Sequence, residues 1–205
     1  MDENPHDILR FRHAIDRIDA ANADDPRRVV DERTGEEIAR EQLYSRRISE
    51  ALGRLDRDAS VALRLAVRAQ HIRRWTIPRD EYPMNRVGYL RWREALKRFH
   101  AETAAAILRD VGYDEATVER VSSLLRKERL RTDPETQTLE DAACLVFLEY
   151  EFAEFAPRHD DAKIVEIVRK TWGKLSERGR AAAREIVPRL DETLRTVVER
   201  ALADA

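Results

Sequence analysis

The chain is short of the residues that usually announce a fold or a chemistry. In 205 residues it has one cysteine, two methionines, six glycines and 6% aromatics. Cys144 has no intrachain partner, so no disulfide can form; a buried free thiol is its simplest reading. No stretch reaches the ~20 apolar residues that a bilayer crossing needs. The opening MDENPHDILR is acidic and lacks the apolar centre of an export signal. Together these absences point to a cytoplasmic protein with no membrane partner. β-branched residues are sparse and no run alternates with period two, so strands are not expected. There is also no GxSxG elbow, P-loop, paired-cysteine zinc pattern or glycine-rich phosphate loop, and no base is placed to activate Cys144.

Apolar residues make up 42% and charged residues 38% of the chain, a balance that suits helices with heavily charged outer faces. The pattern predicts an all-α fold, a compact bundle of eight or nine helices forming one domain over 1–205. Helices are expected over about Asp7–Asn22, Glu37–Leu55 and Asp58–Arg74. After the irregular TIPRDEYPMNRVG they resume over Tyr89–Asp110, with Gly112 as a C-cap residue. A fifth helix is expected from Asp114 to about Glu128. Thr132-Asp133-Pro134-Glu135, a capping box with an early-turn proline, opens a sixth that runs to about Phe155. Ala162–Leu175 and the segments after Ser176 and Pro188 follow, the last two reading as an exposed amphipathic hairpin.

The most informative window lies between Arg68 and Arg98. It holds nine Lys or Arg and three acids (Asp80, Glu81, Glu94), so it is net +6 in a chain of net −2. Trp75, Tyr82, Tyr89 and Trp92 interleave with the charges, which reads as a site for an anion. Helical spacing adds a second signal. His71 continues the apolar stripe of Leu63 and Val67, and His100 leads Ala104, Ile107 and Val111. Asp141 leads Leu145, Leu148 and Phe152, and Tyr44 leads Ile48 and Ala51. Burying such groups costs several kcal/mol each unless they are paired, so convergence on one polar pocket is expected. Each also has a plain structural reading, as a hydrogen-bonded core histidine, a cap or a core aromatic.

These residues resemble the HD-domain phosphohydrolases. LYSRRISEAL is similar to the helix that carries their first metal-binding histidine, with Tyr44 in its place. RLAVRAQHIRRW resembles the helix of the His-Asp pair, His71 matching the histidine and Ile72 replacing the aspartate. HAETAAAILRDVGYDEATVERV and LEDAACLVFLE resemble the remaining segments, Asp141 matching the closing aspartate. The resemblance implies an HD-like core over 38–155 and a C-terminal helical extension over 160–205. The whole chain is more similar still to an uncharacterised bacterial and fungal family known as a domain of unknown function. AQHIRRW, IPRDEYPM, GYLRWR, LKRFHAE and LLRKERL carry that similarity. Some members bear a glutamyl-tRNA synthetase label, but this chain has no HIGH-type or KMSKS-type motif, so synthetase activity is not expected.

In HD proteins His and Asp ligands hold divalent metals that activate water. His71, His100 and Asp141 offer three ligands, but the missing acid and surplus of arginines oppose a cation, so no cofactor is firmly expected. The same three residues are the catalytic candidates. The resulting expectation is a divergent HD-like protein binding a phosphorylated small molecule or nucleotide, and hydrolysing it if it is an enzyme. Arg74, Arg79, Arg86, Arg93, Lys97, Arg126 and Lys127 are the candidate phosphate ligands, since guanidinium forks match phosphate oxygens. Trp75, Tyr82 and Trp92 are the candidate stacking residues. The alternative is a non-catalytic nucleotide- or RNA-binding module on a degenerate HD scaffold.

Overall fold

The protein is described by a computed structural model covering residues 4–203. Helix α1 (Pro5–Ala23) begins with proline in its first turn, where no amide is missed, and the Asn4 side chain accepts from the His6 amide. Two three-residue strands follow, β1 (Arg28–Val30) and β2 (Glu37–Ala39), paired antiparallel with Val29 opposite Ile38. The connecting turn places Gly35 at φ +74. This hairpin corrects the expectation of no strands: three residues per strand are too few to show a period-two pattern.

Helices α2 (Arg40–Leu55) and α3 (Val61–Ala69) come next, the second capped by Ser60 accepting from the Leu63 amide. Helix α3 ends five residues before the expected Arg74. Arg73 turns left-handed at φ +50 and its amide donates to Asn22 Oδ1 of α1 at 3.1 Å. His71 and Ile72 therefore sit on the turn beyond the helix. Two single 3₁₀ turns lead to α4 (Arg86–Val111), capped by Asn85 and closed by Gly112 at φ +87.

Helix α5 (Glu115–Arg126) is capped by Asp114, and α6 (Pro134–Val146) by Asp133, which accepts from the Glu135 and Thr136 amides. The expected long sixth helix is interrupted by a π-turn over Phe147–Glu151 before α7 (Phe152–Phe155). Helices α8 (Asp161–Trp172), α9 (Glu177–Ile186) and α10 (Glu192–Ala203) complete ten α-helices among the described residues. None of the described helices is long and apolar enough to cross a membrane.

The main core gathers Ile48, Leu63, Leu65, Leu108, Leu124, Leu139 and Leu145 from α2 to α6. Each such fully buried side chain contributes roughly 1.5–3 kcal/mol from water exclusion. A smaller cluster of Phe152, Ile164, Val168, Leu194 and Val198 joins α8 to α10. The last two helices are not the exposed hairpin that their charge suggested. Helix α9 packs on α6 and α10 on α8, burying Ala183, Ile186, Val198 and Ala201. Gly179 of α9 approaches so closely that a Cβ there would lie 2.7 Å from the Asp141 carboxylate.

Candidate functional site

Helix α2, the turn after α3, the middle of α4 and the π-turn meet at a charged cluster centred on His71. The Tyr44 ring stacks on the His71 imidazole, centroids 3.9 Å apart and planes 14° apart. The Tyr44 hydroxyl donates to Gln70 Oε1 at 3.1 Å, so both faces of the turn are tied to α2. Glu41, one turn before Tyr44, places Oε2 3.3 Å from His71 Nδ1. Its other oxygen accepts from Arg27 Nη2 at 2.8 Å, and Asp25 grips Arg27 through two 3.0 Å hydrogen bonds. The hairpin that carries Arg27 thus fixes the carboxylate that faces His71.

His100 enters from α4, its ring centroid 6.1 Å from that of His71. His100 Nδ1 lies 2.8 Å from the Ile72 carbonyl oxygen. A carbonyl can only accept, so the proton is on Nδ1 and Nε2 carries a bare lone pair. That Nε2 is buried without a protein partner among the described residues. Burial, the charge of neighbouring groups and Arg74 hold the His100 pKa down at about 3. Burial also keeps His71 well below its ordinary value, reinforced by Arg74, Arg93, Lys127 and Arg27. Both imidazoles are therefore neutral at neutral pH. In the neutral ring the His71 Nδ1 proton is stabilised by facing the Glu41 carboxylate, which leaves its Nε2 bare as well.

Two cations beside the histidines have no counter-charge at contact distance. Among the described residues, no carboxylate lies within 4 Å of the Arg74 or Arg93 guanidinium, whereas the part-buried Arg68 and Arg120 each have one. Arg74 is part-buried over the Trp92 ring at 4.6 Å, and burial lowers its pKa although Glu41 opposes this. Glu151, delivered by the π-turn, is a nearby acid with no ion pair among the described residues, and burial raises its pKa against the pull of Arg40. Single π-turns inside α-helices recur at functional sites because they rotate the following side chains off the helical stripe. Beside Tyr44 and Glu151 a cavity of about 110 Å³ opens towards β1. Arg47, whose Nε is buried without a partner, forms part of its wall.

The expected site residues divide sharply. His71, His100, Arg74 and Arg93 come together, and Lys127 adds its charge from the end of α5, where it is paired with Glu140. Asp141 does not join them. Its carboxylate accepts from the Ser176 amide at 2.8 Å, the Ser176 hydroxyl and Gln137 Nε2 at 2.9 Å. It anchors the start of α9, a structural task that corrects its expected place beside the histidines. His71, His100 and Asp141 accordingly form no metal site: no group of three or more His, Cys, Asp or Glu among the described residues is arranged to hold one.

Several phosphate candidates are also spoken for. Arg79 donates to the carbonyls of Tyr82 and Pro83, folding its own loop. Lys97 pairs with Glu94, and Arg126 with Glu119 and Glu128. Arg86 stands exposed at the start of α4. Trp92 is buried between Arg74 and Arg79 with its indole N–H donated to the Ile77 carbonyl at 2.9 Å. It is a floor for Arg74 and not a free stacking surface. Trp75 and Tyr82 are part-exposed on the loop.

Sequence reasoning missed Glu41, Asp25, Arg27 and Glu151. Glu41 extends the stripe Tyr44-Ile48-Ala51-Leu55 by one turn and could have been found there. Asp25 and Arg27 lay in a segment whose proline and glycine suggested only turns. A family model described as Domain of unknown function (DUF4202) matches residues 12–198. The chain belongs to this family. In this DUF4202 member the match spans every group of the His71 cluster. No curated protein and no solved structure matches the chain.

Proposed function

We propose that this DUF4202 protein binds a phosphorylated small molecule or nucleotide at the His71 cluster. The observation that carries the reading is the pair of guanidinium groups, Arg74 and Arg93, left without a carboxylate beside two neutral histidines. An unpaired part-buried cation is costly to maintain, and a phosphate dianion satisfies two such groups at once through bidentate hydrogen bonds. The resemblance to HD-domain phosphohydrolases supports the same location, because it sets His71 and His100 where those proteins keep the metal that acts on a phosphoester. With Asp141 engaged elsewhere and Arg27, Arg74, Arg93 and Lys127 around His71, a resident divalent metal has little to hold it.

RNA binding is the less supported reading. The free arginines are half-buried, and other half-buried basic residues such as Lys97 and Arg126 are committed to carboxylates. Calorimetric titration of inorganic phosphate and a nucleoside monophosphate into the wild type, Arg74→Ala and Arg93→Ala tests the proposal. Each substitution is expected to weaken binding at least tenfold. A wild type that ignores both ligands but binds RNA with steep salt dependence would favour the alternative.

A further inference from the structure

We infer that the cluster hydrolyses a phosphomonoester without a metal, with His71 as the proton acceptor and Glu41 as its positioning residue. This deepens the phosphate-binding reading and rests on it. Glu41 faces Nδ1 at 3.3 Å, Arg27 fixes Glu41 at 2.8 Å, and Tyr44 holds the ring by stacking at 3.9 Å. That is the division of labour of a base with an orienting carboxylate behind it. Burial, and after it the cations Arg74, Arg93, Lys127 and Arg27, keep this ring uncharged, so its free lone pair is present at neutral pH.

The His71 and His100 ring centroids stand 6.1 Å apart, and in the inferred reaction one water molecule donates to both imidazoles. Two bare ring nitrogens can accept both of its protons and turn its oxygen lone pair towards a phosphorus held by Arg74 and Arg93. In the reaction the water oxygen forms a new P–O bond and the ester P–O bond breaks. One water proton passes to His71 Nε2, and the departing oxygen takes a proton from solvent. Arg74 and Arg93 neutralise the charge on the peripheral oxygens as it builds, the role that positioned donors play in phosphoryl transfer.

The groups facing His71 are Glu41 and Tyr44 from α2, Arg27 from the hairpin, Arg74 from its own turn, Arg93 and His100 from α4, and Lys127 after α5. Most are cationic, so activity should persist well below neutral pH until His71 protonates. Removing the Glu41 charge should lower the acidic limb further and misalign the ring.

The test uses the full chain with 4-nitrophenyl phosphate in the presence of EDTA, alongside calorimetric binding of inorganic phosphate. The expected result is metal-independent turnover that falls about 100-fold or more in His71→Asn, the scale of a lost general base. Glu41→Gln should lose about tenfold or more in kcat and shift the acidic limb of the pH profile, with KM changed less than threefold. The inference is overturned if turnover requires added zinc or manganese, if Glu41→Gln keeps the wild-type profile, or if phosphate binds and no ester is cleaved. In that last case the binding reading survives. Absence of both binding and turnover overturns the two together.

Discussion

Two buried polar sites in this protein look alike in the sequence and differ in what they leave undone. Asp141 and His100 are both nearly sealed from water, at 1% and 4% exposure, and both lead an apolar stripe. Asp141 is saturated: it accepts from the Ser176 amide and hydroxyl and from Gln137. Around His100 one ring nitrogen has no partner among the described residues, and among them the neighbouring Arg74 and Arg93 have no carboxylate in contact. A satisfied buried group stabilises the fold and is accounted for by it. An unsatisfied cluster lowers stability, and its persistence in a folded protein points to a ligand that completes it.

The largest expected effect comes from breaking the satisfied site. Asp141→Ala strips the start of α9 of its acceptor and leaves the part-buried Ser176 amide unpaired, costing about 3 kcal/mol. Urea unfolding should show that loss, while phosphate affinity stays within twofold of the wild type. Gly179→Ala should destabilise in the same manner, because its Cβ would press on the same carboxylate at 2.7 Å.

Next in size is the pH response. Glu140 is buried, which alone would raise its pKa, yet Lys127 and Lys174 outweigh burial and hold it at about 2. Its folded pKa lies below the unfolded value of 4.5, so its contribution is complete above pH 4.5 and is lost as pH falls towards 2. The histidines act earlier. His100 binds its proton at about 3 when folded and at 6.5 when unfolded, so stability falls as pH drops from 6.5 towards 3. Between pH 6.5 and 4.5 the loss from His100 should approach about 1.4 kcal/mol per pH unit. His100→Gln should flatten that slope in urea titrations at several pH values, and Glu140→Gln should leave it alone and change only the more acidic arm.

The smallest effects belong to the paired surface. Lys97→Ala and Arg126→Ala break exposed ion pairs worth under ~1 kcal/mol. They should leave phosphate affinity unchanged, although charge and place in the sequence made both candidate ligands. A tenfold loss of affinity in either would erase the distinction between the two classes of arginine and lysine.

Much of this was legible in the chain. The α4 end at Gly112, the Asp114 cap and the proline-led start of α6 all follow from residue chemistry that acts over a few positions. The inward direction of His100, Tyr44 and Asp141 also followed, since periodicity reports burial, whereas His71 sits on the turn past the end of α3. Partnership did not. Ser176 meets Asp141 from 35 residues away, and nothing in a helical stripe shows which distant element will land on it. Glu41 was hidden because an acid in the first turn of a helix already has a reason to be there. Glu151 was hidden by the π-turn, which moves it off the stripe that periodicity projects. The loop arginines were misread for a simpler reason: local carbonyls, such as those that hold Arg79, leave no trace in charge.

The central claim is that the cations beside His71 are kept unpaired for an anionic ligand. The most direct measurement is phosphate titration and urea unfolding of Arg74→Ala beside the wild type. The account predicts at least a tenfold loss of phosphate affinity with stability unchanged or raised, because a part-buried charge without a contact partner is removed. Unchanged phosphate affinity together with a clear loss of stability would contradict it, and would make Arg74 another structural arginine.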